Sequence, residues 1–276
     1  MISINEQYRG LLAEILQSGK SKEDRTGVGT LSKFGRTIEH NMKLGFPLLT
    51  IKRVSFQAAK TELLWILQGR TDLKYLEDNG VRYWRADYKR SKRTDETLGP
   101  VYGHQWRNFN GIDQLYNLLL QLKINPSSRR LLVSAWNVAD MKDMALPPCH
   151  YGFQCYVNKG VIDLIWTQRS VDVFLGLPYD IAMYGLLLQL LAKSNNLKAG
   201  RLIGQLGDCH IYKNHIEQAE TIMYRNANKI NYPTLEIKGN GLQIENNSIN
   251  IPEQEELVIH NYKHMGFIKA PLNVGI

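Results

Sequence analysis

The segment Ala145-Leu-Pro-Pro-Cys-His-Tyr151 places Cys149 after two prolines, beside a histidine and at the mouth of a strand-like run. Proline fixes φ, so the backbone is pre-set and the thiol is presented rigidly. As a thiolate Cys149 would be a strong nucleophile even at modest ionisation, provided cationic neighbours favour the charge. A small buried hydrophobe is the competing reading of the same residue. A metal site from Cys149, His150 and Cys155 is disfavoured, because no second ligand pair stands at structural-zinc spacing. Glu62 lies in an otherwise apolar helical run, Ala58 to Leu67. It either reaches a polar cleft or is desolvated, with a raised pKa suited to proton transfer, or it faces solvent from an amphipathic helix. Four arginines stand out: Arg25 in DRTGVGT, Arg129 and Arg130 in PSSRRLLVSAWN, and Arg169 in WTQRSVD. A guanidinium suits bidentate phosphate recognition, although each also fits a surface ion pair. The glycines of DRTGVGTLS do not open a helix after a strand, and no G-x-x-x-x-G-K-[ST] occurs, so ATP and dinucleotide chemistry are not indicated.

Helical periodicity over Phe56 to Gln68, Ile112 to Lys123 and Tyr184 to Lys193 predicts core helices. Strand-like runs occur at Arg130 to Trp136, Gly152 to Val157, Val161 to Thr167, Leu202 to Leu206 and Leu235 to Ile237. The two kinds mix without regular βαβ alternation. The expected class is α/β in the α+β sense: a mostly antiparallel or mixed sheet backed by helices. No internal repeat and no Pro/Gly/Ser-rich linker divides the chain, which predicts a single catalytic domain over residues 1–276.

The 276 residues, 43% hydrophobic and 22% charged, describe an ordinary globular protein and exclude disorder. A net charge of +8 implies anionic partners, either nucleic acid or small phosphorylated ligands. The one dense basic cluster, Tyr88 to Arg93, is short and reads as a solvated loop, so nucleic acid is the weaker choice. Three cysteines without paired spacing fit a reducing compartment. The N-terminus lacks an export signal, and the apolar run Met183 to Ala192 contains Gln189 and falls short of the ~20 residues that span a bilayer. A cytoplasmic protein without a membrane span is expected.

The whole chain resembles the thymidylate synthase family, through motifs in that family's order: DRTGVGTLS, ELLWILQG, LGPVYGHQWR, PPCH, QRSVDVFLGLP, GDCHIYKNHIEQ and a terminal IKAP. The resemblance implies a homodimer with shared active sites, each receiving Arg129 and Arg130 from the partner. Arg25, Arg169, Ser170 and those partner arginines would hold a nucleotide 5′-phosphate, and His210 with Tyr212 the sugar 3′-hydroxyl. Cys149 is implied as the nucleophile, with His150 beside it in the catalytic set. Glu62 would organise proton transfer with ordered water, and Tyr102 would assist removal of the C5 proton. Trp84 and Asp172 would lie against the folate. The donor is implied to be 5,10-methylenetetrahydrofolate, with no metal. The scheme is chemically coherent, because C5 of a pyrimidine becomes a nucleophile only after a thiolate adds at C6.

One position departs. Thymidylate-forming members of the family carry Asn where this chain has Asp180, in GLPYDIA. An amide accepts from N3–H and donates to O4 of uracil, whereas cytosine presents an N3 acceptor and an N4 donor. A protonated Asp180 would donate to N3 and accept from the amino group; an ionised one would pair with an N3 that takes up a proton as Cys149 adds. Asp here is similar to the cytidylate hydroxymethylases of the same superfamily, which finish with water instead of hydride. Ser55 replaces a residue, commonly histidine, that contacts the folate, and the tail Leu272-Asn-Val-Gly-Ile276 runs past the family's usual end. Trp84, which favours methylation in the parent enzymes, is retained. The expectation is folate-dependent 5-hydroxymethylation of dCMP or CMP. Its rivals are methylation of dUMP, methylation of a cytidylate, and a non-catalytic RNA-binding homologue. Met183 and Gly185 replace familiar family residues near Asp180, so the sequence leaves ribose and deoxyribose both open.

Overall fold

The computed structural model describes residues 2–227 and 230–273. Among them the helices are α1 (Ile4–Ser18), α2 (Phe56–Leu67), α3 (Leu73–Asp78), α4 (Trp84–Ser91), α5 (Tyr102–Asn108), α6 (Gln114–Ile124), α7 (Leu177–Ser194) and α8 (Ile216–Met223). The main sheet is built from β1 (Lys20–Lys22), β2 (Thr30–Asn41), β3 (Leu132–Ser134), β4 (His150–Asn158), β5 (Val161–Asp172) and β6 (Lys198–Tyr212). Its order is β1-β2-β6-β5-β4-β3. All neighbours run antiparallel except β5 and β6, so the expected mixed sheet with flanking helices is what forms. Two small antiparallel pairs lie apart from it: β7 (Thr234–Ile237) with β10 (Leu257–His260), and β8 (Gln243–Glu245) with β9 (Ser248–Asn250).

The parallel pair exists because β5 and β6 are joined through α7, a crossover that only a helix-length connection allows. Along β5, Ile162, Leu164, Trp166 and Gln168 alternate onto one buried face. Helix α7 is apolar on nearly every side because it lies between that sheet and α2. It starts seven residues before its readable periodicity at Tyr184, with Pro178 in its first turn. Trp166 stacks on Tyr184 with ring centroids 5.3 Å apart. Gly204 on β6 makes that stack possible, since a Cβ there would lie 2.5 Å from the indole.

Strand β2 has no clear sequence signal. Phe34 is 81% exposed, and Gly35 takes φ +73, which interrupts the alternation. The basic cluster at Tyr88 to Arg93 also differs from the solvated loop expected of it. Tyr88 to Ser91 end α4, Arg90 donates to Asp87 at 3.0 Å, and Arg93 pairs with Asp95 and with the Asp143 carbonyl. Its cations are partly consumed by local structure. Among the described residues no helix is long and apolar enough to cross a membrane.

Candidate active site

The loop before β4 is tied from both sides. Arg169, on β5, donates through Nη2 to the Pro147 carbonyl and through Nε to the Pro148 carbonyl, both at 2.9 Å. Its backbone N–H donates to the Cys149 carbonyl at 2.9 Å, and the Cys149 N–H donates to Tyr102 Oη at 2.9 Å. The prolines leave few backbone donors in this loop, so the guanidinium donates to their carbonyls, while the phenol accepts the N–H of Cys149. Cys149 is thereby fixed at the wall of a cavity of about 330 Å³. Glu62, Trp84, Tyr102, His150, Ser170, Asp172 and Asp180 line the same cavity, with Tyr83, Gln168, Tyr179 and Leu272.

Burial pushes the Cys149 thiol up to about 11, opposed by Arg169 and Arg25 and reinforced by Asp180 and Asp87. Burial thus favours the thiol form, while the two guanidinium groups favour the thiolate that attacks. His150 is held neutral by burial, at about 3, with Nδ1 2.9 Å from the Tyr184 hydroxyl. Its ring stacks on Tyr102 at 4.4 Å. It supports the phenol and carries no charge in the physiological range.

Glu62 turns from α2 into the cavity. Trp84 Nε1 donates to one oxygen at 2.7 Å and Tyr83 Oη to the other at 2.5 Å. Burial raises its pKa, and these two donors oppose the rise. Asp180 sits in the first turn of α7 and accepts from Gln168 Nε2 at 2.9 Å. Gln168 Oε1 accepts from Trp166 Nε1 at 3.2 Å. An indole N–H can only donate, so the amide orientation of Gln168 is determined and its NH₂ must face Asp180. Burial pushes the Asp180 carboxyl up to about 7; Glu62 and Asp172 add to this and Gln168 opposes it.

A smaller polar groove adjoins the cavity through Ser170 and is lined by Lys22, Asp24, Arg25, His210 and Tyr212. The parallel register explains the meeting, because Ser170 lies opposite Asp208 and Asp172 opposite His210. Asp24 accepts from the N–H groups of Thr26 and Gly29 and so folds the loop that presents Arg25. Gly29 has φ +75 there, a conformation side chains disfavour. The neighbouring His210 ring is the largest influence holding the Asp208 carboxyl well below the usual range, and Lys22, bonded to the other oxygen at 2.7 Å, adds to it.

Other expected residues lie elsewhere. Arg129 and Arg130 are exposed, and Arg130 borders a separate groove with Gln114 and Leu132. Ser55 is the N-cap of α2, accepting from the Ala58 N–H, and does not line the cavity. Met183 and Gly185 also lie away from it: Met183 is buried, and Gly185 abuts Pro47. Leu272 reaches the cavity because His215 holds the Pro271 carbonyl at 2.7 Å while Asn214 and Asn273 exchange hydrogen bonds. Residues 274–276 of the extended tail are outside the described residues. Sequence reasoning missed Tyr83, Gln168 and Tyr179; an aromatic pair just ahead of an acidic-basic helix was the only available cue for Tyr83.

Together the cavity and groove bring a buried thiol, the carboxyls of Glu62, Asp172 and Asp180, and the cation Arg25 to one place. The family model described as thymidylate synthase matches residues 6–274. The thymidylate synthase of Mycoplasma mobile is 42% identical, covering 98% of this chain and the relative's full length. The chain belongs to the thymidylate synthase family and is a one-carbon transferase acting on a pyrimidine nucleotide, with methylenetetrahydrofolate as donor. The cavity suits such a donor, since Trp84, Leu146, Leu175, Tyr179 and Leu272 offer apolar faces to a flat ring and Asp172 a polar edge.

Proposed function

We propose that the chain transfers a one-carbon unit to C5 of a cytidine monophosphate, producing 5-hydroxymethyl-dCMP from dCMP or the corresponding product from CMP. The observation that carries the base assignment is the bond from Gln168 to Asp180 Oδ2. With that oxygen occupied, Oδ1 is the atom left for a base. Neutral, it donates to N3 of cytosine; ionised, it accepts from the exocyclic amino group. An asparagine at the same place would turn its oxygen to Gln168 and its NH₂ to the base, matching O4 of uracil.

Methylenetetrahydrofolate, when bound, supplies an electrophilic carbon at the oxidation level of formaldehyde. Cys149 Sγ forms the bond to C6 and the C5–C6 electron pair becomes available at C5. Glu62 moves protons to and from the base, and Tyr102, whose hydroxyl accepts from the Cys149 N–H at the cavity wall, assists loss of the C5 proton. C5 would form a bond to that carbon, whose bond to the donor nitrogen breaks as the C5 proton is lost; water would then add to give the hydroxymethyl group, and the C6–S bond would break. Arg25, Ser170, His210 and Tyr212 hold the phosphate and sugar, while Arg169 serves the Cys149 loop. The similarity of Asp180 to cytidylate hydroxymethylases supports this product.

Methylation of dUMP is the second reading. The named relative favours it, and a neutral Asp180 can donate to O4 as well. The two readings part above pH 7: the neutral fraction falls about tenfold per pH unit, and an ionised Asp180 leaves O4 without a donor. The ratio of kcat/KM for dCMP over dUMP should rise between pH 6.5 and 8.5, with hydroxymethylated dCMP identified by mass. A dUMP preference at every pH, with thymidylate as the product, defeats the cytosine assignment.

Arg129 and Arg130 belong, in this proposal, to the site of a partner copy, which accords with their exposure and their distance from Cys149's cavity. Arg129→Ala and Arg130→Ala should each weaken nucleotide binding. Mixed with a Cys149→Ala chain, half the dimers are hybrids with one intact site, so roughly a quarter of wild-type activity should return. Absence of rescue after subunit exchange argues for self-contained sites.

A further inference from the structure

Glu62 is held by two donors that come from consecutive residues at the start of α4. Trp84 Nε1 takes one oxygen at 2.7 Å, and Tyr83 Oη takes the other at 2.5 Å. Tyr83 gives its own helix no side-chain cap, so its hydroxyl is free for this contact. The rings of Tyr83 and Trp84 lie 6.4 Å apart, and Trp84 packs in turn against Trp65 and Tyr102. The start of α4 thus forms a rigid aromatic clamp on one carboxylate. Both donors line the cavity with Cys149, which makes the clamp part of the reacting site's wall.

We propose that Tyr83 is a positioning residue for the reaction: its hydroxyl holds the second oxygen of Glu62, fixing the carboxylate's rotamer and keeping it charged as it exchanges protons with the pyrimidine. Trp84 alone would leave Glu62 free to rotate about one bond. A second donor on the opposite oxygen removes that rotation, and a hydrogen bond to an ionised carboxylate is stronger than one to a neutral acid. The direction of the Glu62 pKa agrees, since Tyr83 stands first among the contacts that oppose the effect of burial. The inference rests on the role proposed for Glu62 and not on which base Asp180 selects.

The test is exchange of the C5 hydrogen with solvent in the absence of folate, followed from pH 5.5 to 9 with dCMP and with dUMP. In that reaction the Cys149 S–C6 bond forms, C5 gains a solvent proton and loses its original one, and the S–C6 bond breaks to return the nucleotide. Tyr83→Phe removes one oxygen and keeps the ring. It should move the acid limb of the profile up by about one pH unit, because the charged form of Glu62 loses a donor. The rate at pH 6.5 should then fall several-fold, with KM within about twofold. Tyr83→His, which returns an N–H donor, should recover part of the shift. Glu62→Gln should lose exchange at every pH. A Tyr83→Phe profile superimposable on wild type, with Glu62→Gln inactive, overturns the role of Tyr83 alone. Wild-type exchange by Glu62→Gln overturns the Glu62 assignment, and that of Tyr83 with it.

Discussion

Cys149→Ala should abolish exchange of the C5 hydrogen of the bound nucleotide with solvent, by at least ~10⁴-fold, since removal of an enzyme's nucleophile has effects of that order or larger. Exchange requires the adduct at C6, and no other thiol can substitute: Cys155 and Cys209 are both buried, and burial pushes each up to about 12. Nucleotide affinity should change far less, because Arg25, His210 and Tyr212 line the adjoining groove without contribution from the thiol. Cys149→Ser should behave as the alanine variant does within about tenfold, because a hydroxyl gives up its proton far less readily than a thiol and gains no help from the buried ring of His150. His150 is neutral, and its Nδ1 is engaged with Tyr184. Tritium release from labelled dCMP and dUMP measures the exchange, and equilibrium binding measures affinity. Full exchange by the alanine variant removes Cys149 from the chemistry.

Asp180→Asn is expected to move preference from dCMP toward dUMP by ~2–4 kcal/mol, about one and a half to three decades in the ratio of kcat/KM values, taking roughly 1–3 kcal/mol for each mismatched buried group. Trp166 and Gln168 make the direction of the change definite. Gln168 is obliged to present its NH₂, so the new asparagine must offer oxygen to Gln168 and nitrogen to the base. The donor that O4 of uracil needs then appears, and the acceptor for the cytosine amino group is lost. The variant should also lose the pH dependence of its base preference near 7, because an amide does not titrate there. The product need not follow the base, since in the proposed site Asp180 bears on the pyrimidine edge and not on whether water or hydride reaches the new carbon. Steady-state kinetics with both nucleotides decide the matter; a wild-type enzyme that already prefers dUMP, or a ratio unmoved by the substitution, defeats the hydrogen-bond argument.

Cys149 and Glu62 were visible in the sequence because each stands out from its surroundings, a thiol after two prolines and a carboxylate in an apolar helix, and Asp180 because the family resemblance implies an amide there. Their partners were not. Gln168 acquires its meaning only when Trp166, two residues back on β5, turns its indole onto the same amide, and Tyr83 only when α4 swings its first turn against α2. Such juxtapositions depend on packing angles that no local pattern encodes. The same distinction runs through the fold. Helix α6 displays one apolar stripe and α2 a dense apolar run, and both were readable nearly to their ends, whereas the first turns of α7 open on Pro178, Tyr179 and Asp180, which do not read as the start of an apolar helix. Strand β2 escaped notice because its buried positions Thr30, Ser32 and His40 are polar while apolar Phe34 is exposed. The basic cluster misled in a different way: charge counting treats Arg90 and Arg93 as free, although Asp87, Asp95 and the Asp143 carbonyl occupy them.

The pairing of β2 with β6 governs when the protein can become itself. Thr30 meets Tyr212 and Asn41 meets Arg201, partners separated by more than half of the chain. During synthesis β2 emerges early and must wait, unpaired along most of its length, until β6 is made. Pairings of such long sequence separation close slowly, and a waiting strand edge is prone to join the wrong neighbour. The polar groove lies on this seam, because the loop of Arg25 leads into β2 and His210 and Tyr212 end β6. A nucleotide bound in the groove as proposed requires the seam to have zipped, and by mass action it would favour the fully assembled sheet over every partly folded form. The substrate is in this sense also the last component of the folding reaction.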